Sequence, residues 1–586
     1  MKIKINIISL MVALVSIITT SCSLEEDPKY NFNSATVFND QKTAEAVIMQ
    51  NYGWLGNANL YGQFLHEGTI NNGVYWGRSD GDRLQTTGRY EIYAANSTVS
   101  GIWTGFYKVI TESNYLINGM ASSSLSADYK TRALAHARFL RGFAYFQLAN
   151  LFGKAVILTE PLTTTNIHNP LSERSLVYDQ AVSDLIFAAE NLPPTESMRG
   201  LATKDAANAF VAKCYWMMAN HSQADGNDAN ALYVLAKTYG DKAIGKFTLA
   251  TKFADLWVNH SNSTESIFQI NFTDAVGINI RTSFNFGPSN GVRIAALQPS
   301  FGNIKIDRGF YDLHRGTYPD DPRLASTYLS RFTNAANTAQ TAVAYPLFNT
   351  GTAIAPVIYD IYASAPRKAG STATNPDYDF TSIAIPASVR NLWNNTTANE
   401  KNLNPYNNKM LSTVIATAQY DPKNLIIFRY ADLLLLMADV ENELDNSGQA
   451  LTYLNQVLTR ARTSVTGAVY PQVQTTLSKE AMRDKIFFER MFELAGEPNL
   501  FEDVRRRGTE YLRKVVDLHN NSKSIQYRYN IEVTNNILSG NFRDYIIDNG
   551  AVVSEDFLKR NLLLPIPLNE INTNDKIEPA DQNFGY

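Results

Sequence analysis

The stretch Arg132–Gly153, RALAHARFLRGFAYFQLANLFG, decides the fold. Ala133, Ala137, Leu140, Phe143, Ala144, Phe146, Leu148 and Leu151 recur at steps of three and four, which spreads apolar surface over most of a helix and predicts burial among other helices. Only Arg138, Arg141 and Tyr145 share a polar face. Small residues (Ala133, Ala135, Ala137, Gly142, Ala149) alternate with phenylalanines, so neighbouring helices can approach closely and lodge large side chains in the gaps. Gly153 follows as a left-handed stop. With each buried Phe or Leu contributing roughly 1.5–3 kcal/mol, this helix can nucleate a large core. It carries no chemistry of its own.

The same periodicity returns on both sides. Gln41–Leu55 reads as a helix with Asn39 as its cap and Ala44, Val47, Ile48, Tyr52 and Leu55 on one face, and Ile102–Met120 pairs with the stretch quoted first. Downstream, Val177, Ala181, Leu185, Ala188 and Leu192 form a stripe stopped by Pro193-Pro194. Thr203 then caps a helix carrying Ala206, Ala207, Phe210, Val211, Cys214 and Met218, which makes Cys214 a core residue. Tyr233–Ile244 is a further short helix. Arg429–Leu444 turns at Asp445-Asn446-Ser447-Gly448 into Gln449–Arg462, a hairpin of about 34 residues, the length of a tetratricopeptide unit. Ser478 caps a helix with Phe488, Met491, Phe492 and Ala495 on one face, ended by Gly496. The class is mainly α, an array of antiparallel helix pairs.

Two regions interrupt it. From Gly56 to Gly101 the chain is rich in Gly and Asn and interleaved with Tyr61, Phe64, Tyr75, Trp76, Tyr90 and Tyr93, the composition of a structured loop rather than a disordered linker. A longer insert, 262–423, carries irregularly spaced aromatics, Phe286 and Tyr318 among them. With 31 Tyr and 29 Phe in 586 residues, some rings are expected at the surface.

At the N-terminus Lys2 and Lys4 precede an apolar run from Ile5 to Ile18, too short for a membrane-spanning helix but suited to an export signal. Thr19-Thr20-Ser21-Cys22 follows, the pattern of a bacterial lipoprotein box in which Cys22 becomes the lipidated first residue. Residues 1–21 are read as the signal peptide, 22–38 as an acidic tether and start of the mature protein, 39–261 as an N-terminal helical region containing the aromatic loop 56–101, 262–423 as the insert, and 424–586 as a C-terminal helical region. The formal charge of -4, more negative once Lys2 and Lys4 leave, argues against nucleic acid or anionic lipid as main partner. Two cysteines, one at the processing site, leave no disulfide framework.

Several segments together resemble the SusD/RagB family of outer-membrane nutrient-binding lipoproteins: Ala137–Glu160, Asp179–Pro194, Phe428-Arg429-Tyr430-Ala431-Asp432 with its helix to Leu444, Glu489–Gly508 (ERMFELAGEPNLFEDVRRRG), and the ending from Leu564-Pro565-Ile566-Pro567 to Gln582-Asn583-Phe584-Gly585-Tyr586. The resemblance implies a SusD-like fold, a tetratricopeptide-like superhelix with an irregular loop-rich lobe on one side. It further implies a surface-exposed lipoprotein, held in the outer membrane by lipidated Cys22, that captures oligosaccharides and delivers them to a TonB-dependent, SusC-like transporter barrel. No cofactor is implied.

Sugar capture has a chemistry that can be sought in the loops: C–H ring faces pack on Trp and Tyr, and hydroxyls need a few fixed polar partners. Tyr75-Trp76-Gly77-Arg78-Ser79-Asp80-Gly81-Asp82-Arg83 supplies both, with Tyr75 and Trp76 as a stacking platform and Asp80 and Arg83 as hydroxyl partners; Tyr318 and Phe286 are further candidates. No catalytic residue is assigned, because no carboxylate pair stands out for glycoside hydrolysis, and Glu489 and Glu493 beside Arg490 read as ion-pairing groups. The seven dispersed histidines have no zinc-site companions, and Asp225-Gly226-Asn227-Asp228 reads as a turn rather than a calcium loop, so no metal is expected. Arg505-Arg506-Arg507 reads as a solvated or partner-facing patch. Oligopeptide capture by the same scaffold, a glycoside hydrolase and a purely structural adaptor are the alternatives.

Overall fold

The computed structural model describes residues 37–77, 86–258, 263–272, 302–329, 405–411, 423–521 and 552–586, together with Phe286, Ile546 and short strand segments between 331 and 360. Cys22 and the leader lie outside the described residues, as do Asp80 and Arg83.

Helix α1 (Gln41–Leu55) begins one residue later than its expected cap would place it, because Asp40 takes that role and accepts from the Thr43 amide at 2.8 Å. Asn39 instead accepts from the Ser124 amide, beyond the end of helix α2 (Ser97–Ala121). Between them lies the short strand β1 (Tyr75–Gly77). Helix α3 (Ala127–Leu151) contains the stretch read first, starts where Ser126 accepts from the Tyr129 amide, and packs on α2 and α1. Residues 139 to 151 are all buried, and Gly153 takes φ +73°.

The polar face of α3 is not a solvent face. Arg141 is buried in a two-pronged pair with Asp184 at 2.7 Å, with Asn114 Oδ1 and the Thr159 carbonyl accepting from its Nη1. Tyr145, also buried, donates to the Leu158 carbonyl at 2.8 Å. A guanidinium is tolerated there because its donors are taken up.

Asp184 belongs to α4 (Arg174–Asn191), which packs between α3 and α5 (Lys204–Ala224). Thr203 caps α5 as its sequence position predicts, accepting from the Ala206 amide, and Cys214 is buried. Asp225 ends α5 and Asp228 accepts from the Asn230 amide, the expected turn, before α6 (Asn230–Ala243) returns along α5.

The insert does not break this stack. Strand β2 (Ser266–Ile270) pairs antiparallel with the strand on the far side of the insert, while β3 (Ile304–Ile306) pairs antiparallel with β1 and places Lys305 opposite Trp76. Helix α7 (Arg308–Thr317) follows β3, capped by the Asp307 carboxylate on the Phe310 amide. Strand β4 (Leu425–Arg429), the partner of β2, runs straight into α8 (Tyr430–Glu443), every residue of which is buried. Helix α8 packs on α6, α9 (Ser447–Thr463) and α10 (Lys479–Leu494), so the helical stack is continuous across 262–423. Gly240 marks the closest approach, since a Cβ there would stand 2.1 Å from Met437 Sδ. Ser478 caps α10 as expected, and α11 (Thr509–Asn520) leans on α7. The ending closes on the first core helix: the Leu564 amide donates to the Leu151 carbonyl at 2.7 Å, and Asn583 to the Phe152 carbonyl at 2.8 Å.

The basic run Arg505-Arg506-Arg507 is interior rather than solvated. Arg505 donates to the carbonyls of Asn561 and Asn71, Arg506 lies 4.8 Å from the Trp216 ring, and Arg507 pairs with Asp439 and Glu443 of α8. The acidic residues of α8 make that burial possible.

Candidate functional site

The four described rings expected to meet ligand are all in the core. Trp76 is 9% exposed and stacks on His519 of α11, ring centroids 4.5 Å apart. Tyr75 packs on Phe286 at 5.1 Å, and its hydroxyl accepts from Asn407 Nδ2 at 2.9 Å. Phe286 is fully buried, and Tyr318 donates to Glu489 at 2.9 Å. Strand pairing explains the reversal for Tyr75 and Trp76: β1 is held against β3, with Trp76 covered by His519 and Tyr75 by Phe286 and Asn407. As placed they offer no stacking platform.

The charged residues of Glu489–Gly508 fasten the insert to the helices. Arg323, fully buried, donates to Glu489 at 2.6 Å, to Glu493 at 2.8 Å and to Asp321. Arg429 reaches Glu265, Glu493 and Glu497, and Lys409 reaches Glu497 at 2.7 Å. Arg460 completes the group on Glu265 at 2.6 Å and on Glu493. Burial alone would raise the Glu493 carboxyl, but Arg460, Arg429 and Arg323 override it and hold the group well below the carboxylate range. Glu489 and Glu493 are thus ion-paired as expected, though with Arg323, Arg429 and Arg460, while Arg490 between them pairs with Asp432 and Asp503.

An open cleft of about 430 Å³ lies between the connection 194–205, residues 246–248 and residues 263–269. Arg199 forms one wall, its guanidinium donating to the Ser263 carbonyl at 2.5 Å and its own carbonyl accepting from Asn271. Behind it Glu196 accepts from Arg132 at 2.7 Å and from His136 at 3.0 Å; burial pushes this carboxyl up, yet those two donors bring it down to about 2. Asp205 faces the cleft with its carboxyl pushed up by burial against the pull of Lys246 and Lys204. Gln269 on the floor is 2% exposed; its Nε2 donates to Asn271, while its Oε1 has no hydrogen-bond partner among the described residues. Met198 is 45% exposed at the rim and Phe247 is half-buried. Sequence reading registered only Pro193-Pro194 and the Thr203 cap here, because the walls come from three separate segments.

Among the described residues no group of His, Cys, Asp or Glu is placed to hold a metal, and no helix is long and apolar enough to cross a membrane. Residues 319–586 match the SusD family model, and residues 24–216 match a model described as starch-binding associating with outer membrane. The chain belongs to the SusD/RagB family. It is 25% identical to SusD-like protein P25 of Formosa agariphila over 100% of both chains. A SusD homolog from Bacteroides thetaiotaomicron superposes with a TM-score of 0.72 at 18% identity, over 95% of this chain and 100% of that one. A laminarin-binding SusD-like protein superposes at 0.60 with 21% identity, over 94% of this chain and 100% of that one. SusD proteins are non-catalytic binding proteins.

Proposed function

We propose that this SusD-family protein captures oligosaccharides at the cell surface, anchored through lipidated Cys22, and passes them to a TonB-dependent, SusC-like transporter barrel. The observation that carries the reading is the match of residues 24–216 to the starch-binding, outer-membrane model. The end-to-end likeness to a laminarin-binding protein supports it. Within this reading Asp80 and Arg83 supply ligand contacts, while Tyr75, Trp76, Tyr318 and Phe286 are buried.

The test is native gel electrophoresis of the mature protein through gels containing laminarin, starch, xylan or mannan. Retarded migration in at least one supports glycan capture; unretarded migration in every gel defeats it. Oligopeptide capture is the second reading, favoured by the burial of every ring the sequence nominated.

A further inference from the structure

We propose that the cleft between Pro194 and Gln269 is a separate subsite for a short neutral saccharide, one or two sugar residues at the end of a longer chain; this rests on the glycan reading above. It shares no lining residue with β1, β3 or α7, which carry the base of the loop 56–101. Its volume of about 430 Å³ falls within the roughly 300–1,000 Å³ typical of small-molecule sites.

The groups on its surface select the ligand class. Lys246 and Arg199 disfavour a cation, Asp205 disfavours an anion, and the pair of opposite charges suits a neutral molecule that both donates and accepts hydrogen bonds. Thr195, Thr248 and Ser266 add hydroxyls around the same space. Met198 at the rim and the half-buried Phe247 offer apolar surface for C–H faces.

The walls are fixed without using Asp205 or Lys246. Arg199 is tied to Ser263, Asn271 to Arg199, and Glu196 to Arg132 and His136, so the cleft keeps its shape while Asp205 and Lys246 line the ligand space. Two separated points of attachment on one chain would let a polymer bind more tightly than either point alone allows.

The experiment titrates the mature protein calorimetrically with laminaribiose, cellobiose, maltose and xylobiose, comparing wild type with Asp205→Ala, Lys246→Ala and the rim plug Met198→Arg. All three positions are half-buried or exposed, so folding does not depend on them. Binding of at least one disaccharide by wild type, weakened about tenfold or more in Asp205→Ala and Lys246→Ala as one charge-assisted hydrogen bond is lost, and blocked in Met198→Arg, supports the subsite. Affinity unchanged within about twofold in all three variants overturns it. So does the absence of disaccharide binding in a wild-type protein that polysaccharide gels retard. A wild-type protein that no polysaccharide retards removes the glycan reading and the subsite with it.

Discussion

Trp76 lies face to face with His519, the two planes inclined by 18°. The contact joins β1 to α11, and His519 in turn bonds the Asp307 carboxylate that caps α7, so one indole supports three elements. Truncating it leaves a cavity where these elements meet. Trp76→Ala is expected to lower unfolding stability by about 3–5 kcal/mol in a urea titration, the range for a buried aromatic. An unchanged urea midpoint combined with lost glycan retention would return the ring to the ligand surface.

What the sequence disclosed and what it withheld divide along contact range. The α3 periodicity, the caps at Thr203 and Ser478, the stop at Gly153 and the burial of Cys214 are set by residues a few positions apart, and each was readable. Trp76 sits among Gly, Asp and Arg, a setting that locally favours exposure, and its covering ring comes from a helix near the other end of the chain. Arg505-Arg506-Arg507 misled for the same reason, since three adjacent cations look solvated until Asp439 and Glu443 are brought beside them. The cleft was invisible because its three walls are joined only by folding.

Glu493 is the carboxylate on which Arg323, Arg429 and Arg460 converge. Replacing it by Gln removes the carboxylate that the three share and leaves them Asp321, Glu489, Glu265 and Glu497, so the expected cost lies at or below the about 3–5 kcal/mol of breaking a buried pair. The pH dependence has a definite sign. A carboxyl held below its ordinary value of 4.5 contributes stability above that pH and loses it as pH falls. Wild type should therefore lose stability steeply below about pH 4.5, and Glu493→Gln, already weaker at pH 7, should show a shallower decline. Melting temperatures from pH 7 to 3 check both; parallel curves for the two proteins would show that Glu493 does not carry the acid response.

Glu502 runs the other way. It is 5% exposed beside a small cavity shared with Asn150, Arg174, His221 and Arg505, and burial pushes its carboxyl up to about 7 against the pull of Lys213. A raised carboxyl favours the folded state while protonated, below its ordinary value of 4.5, and that contribution is lost as pH rises through 7. Glu502→Gln keeps the shape and removes the charge. It is expected to match wild type near pH 4 and to be more stable at pH 8 by on the order of 2–3 kcal/mol, since each tenfold change in proton affinity between the folded and unfolded chain is worth about 1.4 kcal/mol. Chemical unfolding at the two pH values decides it, and a variant less stable at pH 8 would mean that the charged form has partners that stabilise it.

The bridge across the insert can be tested at Gly240 and Met437, where α6 meets α8. The absent Cβ leaves room for Met437 Sδ and Cε, at 2.1 and 2.9 Å from where it would stand, and Met437 is fully buried. Gly240→Ala therefore overpacks the seam and is expected to cost about 1–3 kcal/mol despite the better helix propensity of alanine. Met437→Ala alone opens a cavity and costs about 2–5 kcal/mol. In the double variant the added methyl occupies space the methionine has left, so the two costs should combine to less than their sum, with a coupling of about 0.5–3 kcal/mol. Strict additivity in a four-way urea unfolding comparison would show that α6 and α8 do not touch there, and that the helical stack is interrupted where the insert leaves it.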